Sequence, residues 1–324
     1  TVVPNLININ CQGSSNTIES PLNFSGYISI VAGTGDSLIL AGAVTGANGF
    51  GKTSDGDLIM RSTANSFSGE VDVFAGRMIV EHSSGLGGVA DGTIVSSGAT
   101  LELRGAGMNS SEPLTLTGLG DDGLGALQTT TGNHTLSGPI TLTAETGIGV
   151  NVAANSLTLS GVVSGAGGIR KFGDGNLLLT GAANNTFTGA SFVNKGTLTL
   201  DKSNDVRAIA SVTVTNNAKL ILASNNQIDN AAVVSVYSSG LFSMTNYNES
   251  IGGLNLGRPN VIDTGTGTLT LLGDVFTGPP YAGNTGSPVI RGQLSLGGGI
   301  RRFNSQNYGV QFDCVISDGA GVGG

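Results

Sequence analysis

The sequence predicts an all-β chain wound as a right-handed parallel β-solenoid, and three observations predict it. First, the chain copies itself: SLILAGAVTGANGFGK, residues 37–52, returns as SLTLSGVVSGAGGIRK, residues 156–171, a shift of 171 − 52 = 119 residues. The shift holds from Leu58 to Leu177, becomes 120 from Gly69 to Gly189 and from Gly76 to Gly196, and is 119 again from Leu101 to Leu220. Repeats of this kind are units that cannot bury their own apolar face and must stack. Second, apolar residues alternate over four to six positions and then stop at Gly, Asn or Asp, the period of a strand with one buried face. Third, 54 of 324 residues are Gly, there is no Trp, and 11% are charged, against about 25% in an average globular domain.

The strands follow in order. The first copy gives Leu38–Leu40, Asp57–Met60, Val71–Val73, Arg77–Val80, Thr93–Val95 and Leu101–Leu103. The second gives Leu157–Leu159, Leu177–Leu179, Thr197–Leu200, Val212–Val214 and Leu220–Leu222. Helical periodicity is nearly absent, and its one candidate, Asn204–Ala210, is a single turn. A sandwich or barrel needs no copied cassette, and would be marked by hairpin turns; Asn48-Gly49, Asp55-Gly56 and Asp91-Gly92 are too few for so many strands. A solenoid instead stacks like positions on successive coils at about 4.8 Å, with aliphatic ladders inside and Gly, Asn or Asp at the corners. The organisation read from this is N-terminal coils over 1–36, imperfect cassettes of about 119 residues over 37–155 and 156–266, and the start of a further cassette over 267–324 with a protruding loop at 276–288.

Charge narrows the function. With 22 acidic against 14 basic residues, a net charge of −8, the chain has no basic stripe to neutralise phosphates, nor to dock on an anionic membrane. No run approaches 18 apolar residues, so no helix inserts in a bilayer. Scarce Lys and Glu and abundant Asn, Thr and Gly point to an extracellular setting.

Residues 171–200 carry a family resemblance. Lys171, Gly173, Gly175, Leu177, Leu179, Gly181, Asn185, Thr186, Phe187, Gly189, Gly196, Thr197, Leu198 and Leu200 sit on the pattern lysine, glycine-rich turn, Leu-x-Leu-x-Gly, Asn-Thr-aromatic-x-Gly, Gly-Thr-Leu-x-Leu. This resembles the autotransporter-associated β-strand repeat. The first copy is poorer, with Ser62 for the glycine, Ser66 for the threonine and Arg77-Met78 for Thr-Leu; Leu294–Phe303 resembles the stretch that leads into such a repeat. The two clear copies cover roughly 170 of 324 residues. The resemblance implies a secreted or surface-displayed bacterial passenger built as a β-helix, and implies no particular activity. Phe312–Gly324 aligns on Leu159–Gly168 as the opening of another cassette, so the expectation is a piece of a longer protein, or a subunit whose end another copy covers.

Catalytic chemistry is thinly provided. Nucleophile–base catalysis needs a base within reach of Ser, Thr or Cys; the two histidines, His82 and His134, lie far apart beside small polar residues and read as solvated loop side chains. The acidic candidates for a β-helix polysaccharide lyase or hydrolase are Asp55/Asp57, Glu70/Asp72 and Asp121/Asp122, and a solvated acidic face is the favoured account. Three or more outward carboxylates in one groove would favour the enzyme. Gly118–Leu124 matches one β-roll calcium nonapeptide through Asp121 and Asp122, but a single copy makes half a site, and no metal or cofactor is expected. Lys52 and Lys171 recur beside glycine turns, where capping of strand-end carbonyls is favoured over ligand binding.

The expected function is a non-enzymatic extracellular stalk, surface adhesin segment or filament subunit that associates end to end, with a host or surface glycan or protein as a further partner and with no nucleic acid. The alternative is a carbohydrate-active β-helix or a tailspike-like glycan-binding module. The contact candidates are Phe276, Pro279, Pro280 and Tyr281 on the protruding loop, because loops on rigid repeats carry recognition. Cys11 and Cys314 are the only cysteines. About 14 coils at ~4.8 Å would part them by ~60–70 Å, far beyond the ~7 Å of a disulfide. They are therefore free small residues or, in the sharper reading, an intermolecular link that locks a filament.

Overall fold

The computed structural model describes residues 7–278, 285–305 and 308–318. The chain folds as two compact units, Thr1–Gly167 and Gly168–Gly324. The copied motif begins at Ser156, but the strands Ser156–Leu159 and Val163–Ser164 still ladder onto the preceding coil, opposite His134–Leu136 and Ile140–Thr141. Each unit holds one copy of the lysine motif. Secondary structure among the described residues is strand throughout, apart from one 3-10 turn at Ser83–Leu86; the segment 204–210 holds turns and an isolated bridge at Ile209.

Among the described residues every strand pair of known register is parallel, and partners lie one coil apart, from 20 residues (Ser37 opposite Asp57) to 28 (Val261 opposite Val289). That is the β-solenoid. In the first unit one interior ladder runs Leu38, Leu58, Met78, Leu101, Leu127, Ile148, and a second runs Leu40, Met60, Val80, Leu103. In the second unit Leu177, Leu198, Leu220, Phe242, Ile262 and Ile290 stack in the same way. All of these side chains are at most 2% exposed. Because successive strand residues point to opposite faces, one Leu-x-Leu pair per coil is enough to line the core.

The corners explain the recurring glycines and lysine. Gly76 (φ +64°) and Gly196 (φ +67°) open the third strand of each motif, and a Cβ there would lie 2.6 Å from the carbonyl oxygens of Ser54 and Gly175. Only glycine holds that backbone against the coil before it. The Asn and aromatic of the motif point inward. Asn65 accepts from the Val44 amide at 2.9 Å, Asn185 donates to the Ala208 carbonyl at 2.9 Å, and Phe67 closes a three-ring cluster with Phe24 and Phe50 at centroid distances of 5.5–6.3 Å.

The sequence places a loop over 276–288. Its first two residues instead close the strand Val275–Thr277, which pairs with Leu254–Leu256 and Phe303–Ser305, because the ladder still offers them partners. Residues 279–284 lie outside the described residues.

Leu198 is fully buried between Leu177 and Leu220, so Leu198→Ala should cost about 2–5 kcal/mol of unfolding free energy. Leu272, 43% exposed, should tolerate the same change. Chemical denaturation of the two variants checks the inward ladder.

Candidate interaction surfaces

The recurring lysines are fully buried. The Lys52 ammonium donates to the carbonyls of Thr53 (3.3 Å), Ser54 (2.6 Å) and Ala75 (2.9 Å), and that of Lys171 to Phe172 (2.7 Å), Gly173 (2.8 Å) and Lys195 (3.2 Å). In each case two acceptors belong to the lysine's own turn and the third to the next coil. All three N–H donors are used on carbonyls that have left the ladder. Burial pushes the pKa of Lys52 down to about 8, against the pull of Asp57, Asp55 and Asp121, and that of Lys171 to about 7. These lysines are structural, their ammonium donors taken up by backbone carbonyls.

Asp121 and Asp122 lie in the turn 119–126, which folds across the outer face of the sheet at Arg77 and Thr100. Arg77 binds Asp121 at 3.0 Å, Asp122 at 2.9 Å and the fully buried Glu102 at 3.0 Å. Thr100 donates to Asp121 at 2.6 Å; Gln128 and the Leu124 amide both donate to Asp122 at 2.8 Å. Arg104 (2.8 Å) and Thr130 (2.6 Å) take the other oxygen of Glu102. Three outward carboxylates thus do meet in one place, but Arg77 already occupies the centre that a cation would take. No group of three or more His, Cys, Asp or Glu able to hold a metal occurs among the described residues. Asp57, in register beside Arg77, has its pKa raised, chiefly by burial and despite Arg77.

The remaining sequence candidates are scattered. Cys11 is 2% exposed, its thiol donating to the Ser14 and Ser37 carbonyls at 3.3 and 3.4 Å. Cys314 is half-buried opposite Gly292, and burial, aided by Asp313, pushes its thiol up. Phe276 is 45% exposed on the outer face of its strand. Pro279, Pro280 and Tyr281 lie outside the described residues. His82 caps the 3-10 turn at the surface. His134 is not a solvated loop residue: it is 1% exposed in the strand His134–Leu136, donating from Nε2 to Thr131 at 2.6 Å and accepting from Met108 at 3.1 Å. Burial lowers its pKa, so it is a neutral core group.

Several polar groups escaped the sequence reading. Glu249 is buried and accepts from the amides of Gln227, Ile228 and Ser250; burial pushes its pKa up to about 7. Glu112 is buried as well, accepts from Thr93 at 3.0 Å, and is pushed up to about 7 by burial. An asparagine ladder climbs the second unit: Asn204 accepts from the Asn225 amide, Asn225 from that of Asn248, and Asn248 from that of Thr268, at 2.8–3.1 Å. Its signal was available as Asn recurring at coil spacing. Beside it opens a polar groove of about 580 Å³ lined by Asn184, Asp205, Arg207, Asn226 and Asp229, where Arg207 and Asp229 pair at 2.8 Å.

With this geometry in view, the comparisons bear on location and use. The chain is 35% identical over 167 residues, 51% of its length, to a protein described as an adhesin autotransporter, BmaC, of Brucella suis biovar 1 (strain 1330). The matched stretch spans only 4% of that relative's length. No protein-family model matches the chain, and no solved structure does. The likeness to the autotransporter-associated β-strand repeat therefore rests on its motif residues.

Arg77 is the test of the outer cluster. Arg77→Met leaves Glu102, Asp121 and Asp122 facing one another and should cost about 3 kcal/mol near pH 7. The pH sign follows from Asp121, whose pKa is lowered because the Thr100 and Arg77 bonds outweigh burial. In the wild type that stabilisation is present above the unfolded carboxylate pKa and lost in acid. In the variant Asp121 has lost the Arg77 bond that lowered its pKa, so its protonation costs less and the deficit shrinks towards pH 4. Thermal melts between pH 4 and 8 read both effects.

Proposed function

We propose that this chain is part of the adhesive passenger of a bacterial surface protein, displayed outside the cell, in which a non-enzymatic β-solenoid holds contact residues on its outer sheet faces. The observation that supports this reading most is the 35% identity to an autotransporter adhesin, on a fold whose core is leucine ladders and whose two recurring lysines, Lys52 and Lys171, are consumed by its own corners. The chain displayed on a non-adherent bacterial strain should raise adherence to immobilised extracellular-matrix proteins or glycans severalfold over the empty display system. The Arg77 cluster favours one second reading, a carbohydrate-active site. Release of reducing ends or unsaturated uronate from polysaccharides, abolished by Asp122→Asn, would replace the adhesive reading, and adherence equal to that of empty display would count against it.

End-to-end association has its own support. Among the described residues the strand Gln311–Ser317 ladders onto Val289–Ser295 by one edge and exposes Phe312 (37%), Val315 (71%) and Ile316 (47%). Exposed apolar edge strands recruit further strands. The 324-residue chain should therefore sediment as concentration-dependent oligomers. The distribution should be unchanged by thiol reductant, because the Cys11 thiol is shut inside its coil. Val315→Lys with Ile316→Lys should return it to monomer; a monomer at all concentrations in the wild type would count against this reading.

A further inference from the structure

On the outer face of the first unit, two aromatic side chains converge over a glycine. Tyr27 and Phe74 are 40% and 49% exposed. A Cβ on Gly51 would lie 2.6 Å from the Tyr27 hydroxyl and 2.9 Å from the Phe74 ring, so both side chains cross the bare backbone there. Phe24, Phe50, Phe67, Phe187 and Phe242 are buried, whereas these two rings stand together on the surface. Asp72 stands opposite Gly51 in the ladder and accepts from the Tyr27 hydroxyl at 2.8 Å. Glu70 is close enough to act with Asp72 on the phenol, whose pKa is raised first by burial and then by these two carboxylates. Among the described residues no Lys or Arg forms an ion pair with either carboxylate.

The second copy shows what chemistry this place on the coil accommodates. By the repeat shift Gly51 corresponds to Arg170 and Asp72 to Phe192, and these two are again directly opposite in the ladder. There the Arg170 guanidinium lies 4.3 Å from the centre of the Phe192 ring. One unit thus stacks its own guanidinium on a ring. The other has rings and carboxylates at the same position, and glycine where the arginine stood.

We propose that Tyr27, Phe74, Asp72 and Glu70 form a docking site for an arginine side chain on a basic segment of a protein partner. The guanidinium stacks on the ring pair and sets its N–H fork against the carboxylates, a combination that suits arginine better than lysine. A sugar ring also stacks on aromatics, but it leaves two negative charges uncompensated, and a guanidinium neutralises them. The site deepens the adhesive reading by giving it one contact point and the charge of its partner.

The test is calorimetric titration of the 324-residue chain with a blocked peptide of four Gly-Arg repeats, at low salt. Lysine and citrulline versions of the peptide and a neutral chito-oligosaccharide serve as comparators. The arginine peptide should bind several-fold more tightly than the lysine peptide, with no measurable citrulline binding. Asp72→Asn with Glu70→Gln, and separately Tyr27→Ser with Phe74→Ser, should each weaken it roughly tenfold. Leu272→Ala, at an exposed position of the other unit, should leave it unchanged. Unaltered melting temperatures show that the exposed-residue variants fold. Equal binding of the arginine and citrulline peptides overturns the proposal, as does arginine binding that survives both double variants, or an oligosaccharide that binds at these residues instead. A chain that fails every adherence assay but binds the peptide keeps the site and loses the adhesive reading. An adherent chain indifferent to all four substitutions does the reverse.

Discussion

A coil of this kind satisfies its backbone only along the straight runs, where each strand bonds to the coil above and the coil below. At the corners the chain turns away from the ladder, and its carbonyls point into an interior otherwise lined by leucine. An unpaired buried carbonyl is costly, so everything else in the architecture depends on how the corners are closed. Lys52 and Lys171 close two of them with a buried ammonium that spans two coils. The ammonium has three donors and each corner supplies three acceptors, and so a group as costly to bury as a charge is tolerated in the core. Asparagine closes other corners with a side-chain carbonyl that accepts from the amide of the next coil. Both devices use the same geometry, one residue reaching one coil along the axis.

This constraint also decides what could be read from the sequence. The leucine ladders and the lysine corners were legible because they follow local rules: period two inside a strand, and one fixed order of lysine, glycine and Leu-x-Leu that the chain writes twice. His134 was not legible. Its neighbours in sequence, Asn133 and Thr135, are polar, and only the stacking of Leu136 on Leu159 and of His134 on Leu157 shows that these two side chains point inside. Asp121 and Asp122 were legible as an acidic pair, but neither they nor Glu102 as partners of Arg77, which lies up to 45 residues away. Coil lengths vary between 20 and 28 residues, so the sequence does not fix which residue of one coil lands on which residue of another. The repeat shift relates like positions of the two copies; it does not give the register between neighbouring coils within one.

Asp121 and Asp122 illustrate the difference between a motif and a site. The glycines at 120, 123 and 125 adopt positive φ, as a calcium-binding turn would require, and the carboxylates converge. They converge on a guanidinium of the chain itself. The turn thereby bonds to Thr100 and Gln128 on the outer face, both fully buried. Without Arg77 the same turn would hold uncompensated negative charge beside the buried Glu102, so the arginine and the turn stabilise one another.

The two copies differ in a patterned way. The inward positions agree: Lys52 with Lys171, Leu58 with Leu177, Gly76 with Gly196, Leu101 with Leu220. The outward positions of the same strands do not, and Gly51 and Asp72 answer to Arg170 and Phe192. An inward residue touches two neighbouring coils, and changing it disturbs both. An outward residue on a flat sheet face meets solvent and its two ladder neighbours, so it can change charge, size or aromaticity at small cost in stability. A solenoid of this design separates the residues that maintain the stack from those that can meet a partner, along each strand and at alternate positions. Recognition on such a scaffold is therefore written in the outward rows, where a carboxylate beside exposed rings and a guanidinium laid on a phenylalanine are two settings of one position.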